Sequence, residues 1–510
     1  MRVLLDTNIL IHREANRVIN DDIGVLFGWL DKLHYEKCIH PSSLDEINKY
    51  KDEKTVQSLA VKLKNYNLLK TVAPDTPTIT ALRKKYDTNE NDYIDTCLLK
   101  EVFAGRVDYL ITEDRKIQLK ANELGVNSLV YSIDGFLEKV SAENPELADY
   151  KTLAVKKEYF GNINIKDKFF DSFKEDYCGF EKWFNLKSDE TAYICESEIK
   201  EILAFLYVKT EGNNENYADI NPQFEKKKRL KIGTFKVISN GFKLGERFAK
   251  IVFDNALLNH VDEIYVTLFK KTEEHERLIG LLIDWGFICH GFKNSQSGSE
   301  LVYTKNFHPN PNKKNPKLTY PFIDKNRRYF IVPIYPTYHT ELLPDSILNN
   351  ESPENFIENE PHRNAIQKVY ISRSYFKELR TGDIIIFYRT KTENSSAFYS
   401  SVVTTLGIID SVYTQIKDEY EFINLCRKRS VFTDVELKRH WNYSKYKPFV
   451  VNFLYLYSFP KRPNLKQLID MGVIAGTDSV PRGFEQISEE SFNRILEASK
   501  SNESFIINKT

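Results

Sequence analysis

"MRVLLDTNIL", residues 1–10, ends a buried-looking apolar run, Val3-Leu4-Leu5, at an acid, Asp6, with Thr7 and Asn8 directly behind it. An acid in that place lies at the carboxyl end of a strand, where sites form in parallel α/β sheets. The chain around it supplies such a sheet. Apolar runs "KCIHP", "DYLIT" and "SLVYS" alternate with amphipathic stretches "DIGVLFGWLDKLHY", "SSLDEINKYKDEK", "NDYIDTCLLKEVFAG" and "KIQLKANELG". Gly105 and Gly125 close the last two as helix C-termini, and Ser42 and Ser43 stand where a cap belongs. Residues 1–142 thus read as a parallel sheet between helices.

The acids of this segment fall at one edge of that sheet. Asp6 follows the first strand, Glu46 opens the helix after the second, Asp92 begins a helix with Asp95 one turn on, and Asp114 follows "DYLIT". One acid after a strand also serves as a helix cap. Several together repel, and a hard divalent cation with oxygen ligands removes that cost. The spacing predicts Asp6, Glu46, Asp92, Asp95 and Asp114 as ligands of Mg2+ or Mn2+. Asp6, Glu46, Asp92 and Asp114 are the catalytic set, and Asp95 ranks below them. Thr7, Asn8 and Thr112 flank the acids and orient them, or else serve the turns they sit in. "LLDTNIL", "PSSLDEI", "ENDYIDTCLL" and "LITEDRKIQLKANELGV" together resemble the PIN-domain ribonucleases. The resemblance implies metal-dependent cleavage of single-stranded RNA and, as for many prokaryotic members, a toxin restrained by a cognate antitoxin. Many small members are dimers, so it also admits an oligomer.

The whole chain, 510 residues, exceeds what one core can organise, and its composition is that of a globular protein. Its formal net charge is zero. Acids outnumber bases in 1–150 and bases outnumber acids in 308–510. No apolar run has transmembrane length, and no basic segment precedes the first apolar stretch as in a secretory signal. The cysteines at 38, 97, 178, 195, 289 and 426 form no close pair, which suits reduced thiols of a cytoplasmic protein. Seams fall at "VSAENPELADY" (140–150) and at the proline-rich "NFHPNPNKKNPKLTYP" (306–321), and "TEGNNENYADINPQ" (210–223) reads as a loop.

Residues 151–307 read as a mixed α/β unit in which "KRLKIGTFKV", a strand, feeds the glycine turn "SNGFKLG" and a helix. Free N–H groups at such a helix start cradle phosphate. This order, with "IDWGF" (283–287) ending a later helix, resembles the GCN5-related N-acetyltransferases. The resemblance implies acetyl-CoA held by Asn240, Gly241, Lys243 and Gly245. The turn departs from the family pattern: Asn240 stands where Arg or Gln is usual, Lys243 replaces a glycine, and the general-acid tyrosine is not evident. A fold retained as scaffold is the competing reading, as is acetylation of aminoacylated tRNA or protein.

After a linker at 308–320, residues 321–507 carry closely spaced β-like runs, "RRYFIVPIY", "KVYIS", "GDIIIFYRT", "VVTTLGIIDSVY" and "PFVVNFLYLY", expected to roll into a barrel. "LRTGDIIIFYRT" with "TTLGIIDSV" resembles the PUA-like superfamily, including its ASCH branch, which binds RNA or modified bases. Arg373, Tyr375, Tyr388, Arg389 and Trp441, with the basic "CRKRSVFTDVELKRHW" (426–441), are the candidates for base stacking and phosphate contact. Core packing and a solvated helix face are the alternatives. The expectation is a multi-domain α/β and α+β protein: a metal-dependent endoribonuclease with a reader of single-stranded RNA or tRNA, or else an acetyltransferase with RNA-recognising flanks.

Overall fold

Val3 and Leu5 point to one face of the first strand, β1 (Arg2–Leu5), and Leu4 to the other. All three are fully buried, which is why the run is continuously apolar. The computed structural model describes residues 1–14, 21–48, 63, 66–133, 135–137, 140, 155–197, 200–238, 243–308, 314–346, 361–391, 397–427, 429–443, 447–501 and 503–507. They divide mainly into two compact units, Met1–Asp149 and the chain from Tyr150 onward.

In the first unit β1 lies at the centre of a parallel sheet, order β3-β2-β1-β4-β5, with β2 (Glu36–Ile39), β3 (Asn67–Leu68), β4 (Tyr109–Ile111) and β5 (Val130–Tyr131). Its helices include α1 (Thr7–Glu14), α2 (Asp21–Lys32), α3 (Pro41–Asn48), α4 (Pro77–Tyr86), α5 (Glu90–Phe103) and α6 (Arg115–Glu123). One core joins Val3 and Leu5 to Leu26, Leu30 and Phe136; the other joins Leu4 to Leu98, Leu99 and Ile117. Gly105 (φ +67°) and Gly125 (φ +71°) follow α5 and α6 in the left-handed region. The serines expected to cap α3 lie inside it. The helix starts at Pro41, whose fixed φ suits a first helical position, and His40 takes the Ser42 and Ser43 N–H groups, by its ring Nδ1 at 3.1 Å and its carbonyl at 3.0 Å.

The second unit holds two large sheets. The first has the order β6-β7-β8-β10-β11-β13-β12-β9. Its strands are β6 (Lys156–Tyr159), β7 (Thr191–Glu196), β8 (Ile202–Glu211), β9 (Ile220–Asn221), β10 (Arg229–Val237), β11 (Glu263–Leu268), β12 (Ile288–Ser295) and β13 (Gly298–Asn306). With it go α7 (Asp171–Asp176), α8 (Phe180–Asn185), α9 (Leu244–Leu258) and α10 (Glu273–Asp284). Only β10 and β11 pair in parallel, from Arg229↔Glu263 to Ile232↔Val266. The segment 210–223 is more than a loop. It supplies the edge strand β9 and buries Tyr217 against Phe224 and Tyr265.

The other sheet has the order β16-β19-β18-β17-β15-β20. Its strands are β15 (Tyr329–Ile334), β16 (Gln367–Ser372), β17 (Ile384–Arg389), β18 (Val402–Tyr413), β19 (Phe449–Ser458) and β20 (Glu485–Ile487); β14 (Ile323–Asp324) pairs separately with β21 (Ile506–Ile507). The expected barrel is a curled half-barrel, with β16 and β20 as its unpaired edges among the described residues. Bulges in β17 and β18 add to the curl. Gly407 lets β18 pass: a Cβ there would stand 2.8 Å from Phe453.

Part of the proline-rich stretch is a wedge rather than a free spacer. Tyr320 is fully buried, its ring against Phe253 and Trp285, and its hydroxyl donates to the Tyr455 carbonyl at 2.7 Å. The positions 141–150 and 309–313 lie outside the described residues.

Candidate active site

At the carboxyl edge of the first sheet, Asp6 leaves β1 buried, and the Thr112 hydroxyl at the end of β4 donates to its Oδ2 at 2.6 Å. The same hydroxyl oxygen accepts the Asp114 N–H at 3.0 Å. Asp114 caps α6 by accepting the Lys116 N–H. One threonine therefore sets two acids at the ends of adjacent strands. Asp6 is pushed up to about 6 by burial, then by Glu46 and Asp114, against the pull of Thr112. Asp95 is pushed up to about 7 by burial, then by Asp114, Asp6 and Asp92, with Lys120 opposing. These carboxylates feel one another strongly, and their oxygens are hard donors suited to a divalent cation.

Asp92 behaves differently. It accepts from Lys116 Nζ at 2.8 Å and from the Thr88 hydroxyl and N–H at 2.6 and 3.0 Å, and these hold it well below the usual carboxylate range. Asp114 acts on both Asp6 and Asp95, Glu46 acts on Asp6, Asp92 acts on Asp95, and Asp92 itself is paired with Lys116. Asp95, ranked below the other four acids on the family resemblance, lies on α5 with its Oδ2 3.9 Å from Lys120 Nζ. Thr7 is buried beside Asp6, while Asn8 is exposed. Among the described residues no three His, Cys, Asp or Glu side chains converge tightly enough to grip a metal ion as placed.

Sequence reasoning missed Lys116 and Lys120. Lys120 had a signal: it lies in the stripe Ile117, Lys120, Ala121 that α6 buries, where an apolar residue belongs.

In the second unit Asn240 and Gly241 lie outside the described residues. Lys243, in the left-handed region (φ +57°), precedes α9. Gly245 serves helix packing: a Cβ there would stand 3.2 Å from Leu281 of α10. Beneath it Phe235, Phe253, Leu282 and Trp285 leave a cavity of only about 10 Å³. Glu246, in the first turn of α9, accepts the N–H groups of Ile366 and Gln367 at 3.0 and 3.2 Å and pairs with Arg429 at 3.1 Å. The described turn of the cradle therefore presents a carboxylate already bound to the second sheet, and that part does not fit a pyrophosphate.

The stacking candidates of the half-barrel divide. Tyr388 and Arg389 are buried, and Trp441 packs on Phe422 under Lys447, so these three belong to the core. Arg373 donates to the His440 carbonyl at 2.7 Å and lies over the Tyr443 ring; Tyr375 is exposed. In the basic run Arg427 pairs with Asp434 and Arg429 with Glu246, a Thr433–Glu436 capping box starts the helix α11 (Asp434–Asn442), and Lys438 and Arg439 are exposed on it.

No family model and no curated protein matches the chain. Solved structures similar to it include VapBC2 from Rickettsia felis bound to a promoter DNA fragment (17% identity, 26% of this chain and 98% of that one, TM-score 0.19). Naa20 of Chaetomium thermophilum with a bisubstrate analogue gives 10% identity over 30% of this chain and 86% of that one, TM-score 0.23. Human THYN1 with 5-methylcytosine-containing DNA gives 10% over 34% and 99%, TM-score 0.21. The likeness is distant, partial and one of fold: a PIN-like region, an acetyltransferase-like mixed sheet and a PUA-like half-barrel. Among the described residues no helix is long and apolar enough to cross a membrane.

Proposed function

We propose that the N-terminal unit hydrolyses RNA phosphodiesters at the acidic edge of its sheet. The observation that carries this reading is the placement of Asp6 and Asp114 at the carboxyl ends of adjacent strands, both bound to Thr112, with Asp6 and Asp95 each pushed up by burial first and by neighbouring acids after it. Those three would hold Mg2+ or Mn2+, with Glu46 and Asp92 at the rim; the bound metal would activate a water and stabilise charge on phosphate oxygens. Thr112 ties the Asp6 carboxylate to the main chain of Asp114. Lys116, exposed at the rim, is placed to meet the phosphate of an incoming strand. The modules are 1–142, 151–307 and 321–507, with 308–320 between the last two, in a cytoplasmic protein; selection of single-stranded RNA or tRNA by the C-terminal module would rest on exposed groups such as Tyr375, Lys438 and Arg439. A toxin role with a cognate antitoxin follows from the PIN-like resemblance. The test is RNA cleavage with Mn2+, with EDTA, and by Asp6→Asn. Loss in both EDTA and the variant supports the reading; cleavage surviving both sinks it.

A second reading, acetyl transfer by 151–307, is favoured by one observation: more of the similar structures are acetyltransferases than nucleases. A rise in melting temperature with acetyl-CoA tests it.

A further inference from the structure

We propose that Lys120 is a positioning residue for the acidic site: its buried ammonium ties α6 to α5 and sets the gap between Asp114 on one and Asp95 on the other. This rests on the nucleolytic reading of the site. Lys120 is 1% exposed. Its Nζ donates to Asp87 Oδ1 at 3.0 Å, to Thr96 Oγ1 at 3.1 Å and to the main-chain oxygen of Asp92 at 2.5 Å, and lies 3.9 Å from Asp95 Oδ2. Thr96 Oγ1 also donates to Asp87 at 2.7 Å, which closes the network.

Taking an ammonium out of water is costly, and an apolar side chain of similar length would fill the stripe between Ile117 and Ala121 at lower cost. What an apolar side chain cannot do is grip a main-chain oxygen. Lys120 holds the Asp92 carbonyl, in the first turn of α5, directly onto α6. Asp95 on α5 and Asp114 at the start of α6 carry like charge, which opposes close approach of the two helices there. The Lys120 network counters that repulsion from inside. Lys116, one turn earlier and exposed, grips the Asp92 side chain from outside. Lys120 faces the interior and acts on Asp95 and Asp92, not on substrate.

The full-length protein would be compared with Lys120→Met and Lys120→Gln. Three quantities are measured: Mn2+ affinity by calorimetry, kcat and KM on single-stranded RNA, and the melting temperature. Lys120→Met is expected to weaken Mn2+ binding by about 10- to 100-fold, as loss of a partner that orients metal ligands does. It should lower kcat with little change in KM, and Lys120→Gln, which keeps a donor, should recover part of both. If Lys120→Met does not fold, Asp87→Asn/Lys120→Met, which removes the carboxylate that Lys120 bonds directly, takes its place. Unchanged Mn2+ affinity and kcat with only a lower melting temperature would overturn the proposal. Native protein that binds Mn2+ without cleaving RNA would sink the nucleolytic reading, while the Mn2+ affinities still judge Lys120. Native protein that binds no Mn2+ would sink both.

Discussion

Two carboxylate sites in this chain start from the same local grammar and end differently. Asp6, Asp95 and Asp114 gather at a sheet edge, where burial and like charge push Asp6 and Asp95 up. Glu246 lies in the first turn of α9 beside a sheet and is buried, as Asp6 is. Burial raises it, but Arg429, Lys243 and the Gln367 N–H outweigh that and hold it at about 2. A carboxylate supplied with a guanidinium and backbone donors is structural glue. A set left facing itself costs stability and is where chemistry is to be sought.

The contrast can be broken most directly at the acidic edge. Asp95→Asn should cut RNA cleavage by about 10²- to 10³-fold, the scale of losing one preorganised electrostatic group, while the melting temperature holds or rises. A variant that cleaves normally would put Asp95 back among the caps. At the other site Glu246→Ala should cost about 3 kcal/mol in urea unfolding, because Arg429 and two N–H groups lose their partner. A negligible loss would mean the seam between the two sheets is held by its apolar contacts alone. Glu246 also sets a pH dependence. Its folded pKa, about 2, lies below the ordinary 4.5, so its contribution is complete above pH 4.5 and is lost as pH falls toward 2. Acid unfolding followed with Glu246→Gln should show a shallower fall over that window; equal slopes would assign the acid sensitivity elsewhere. Acetyl-CoA sharpens the same comparison, since the described turn of α9 does not fit it and no stabilisation is expected. A ligand at about 100 times its Kd would add about 2.7 kcal/mol, a shift that thermal melting resolves. The smallest effect belongs to Thr433→Ala, about 1 kcal/mol for a lost cap, with RNA binding unchanged.

Much of the first unit was legible because its signals are local. Short apolar runs marked the strands, Gly105 and Gly125 marked helix ends, and an acid followed each of β1 and β4. That Asp92 rather than Asp95 is bound by Lys116 and Thr88 was not legible, since both acids lie near one face of α5 and the partners come from outside the helix. In the half-barrel, Tyr388 and Trp441 carried composition that suits stacking and core alike, and burial assigned them to the core.

Sequence by itself determined the α/β layering, the strand order of events along the chain and the presence of acids at strand ends, because hydrophobic periodicity and turn chemistry act over a few residues. Only tertiary structure decided which charges are paired. Glu246 and Arg429 lie 183 residues apart, and Lys120 reaches Asp87 across 33. Whether a carboxylate is neutralised or strained depends on what distant chain brings within a few ångströms of it, and no local pattern records that.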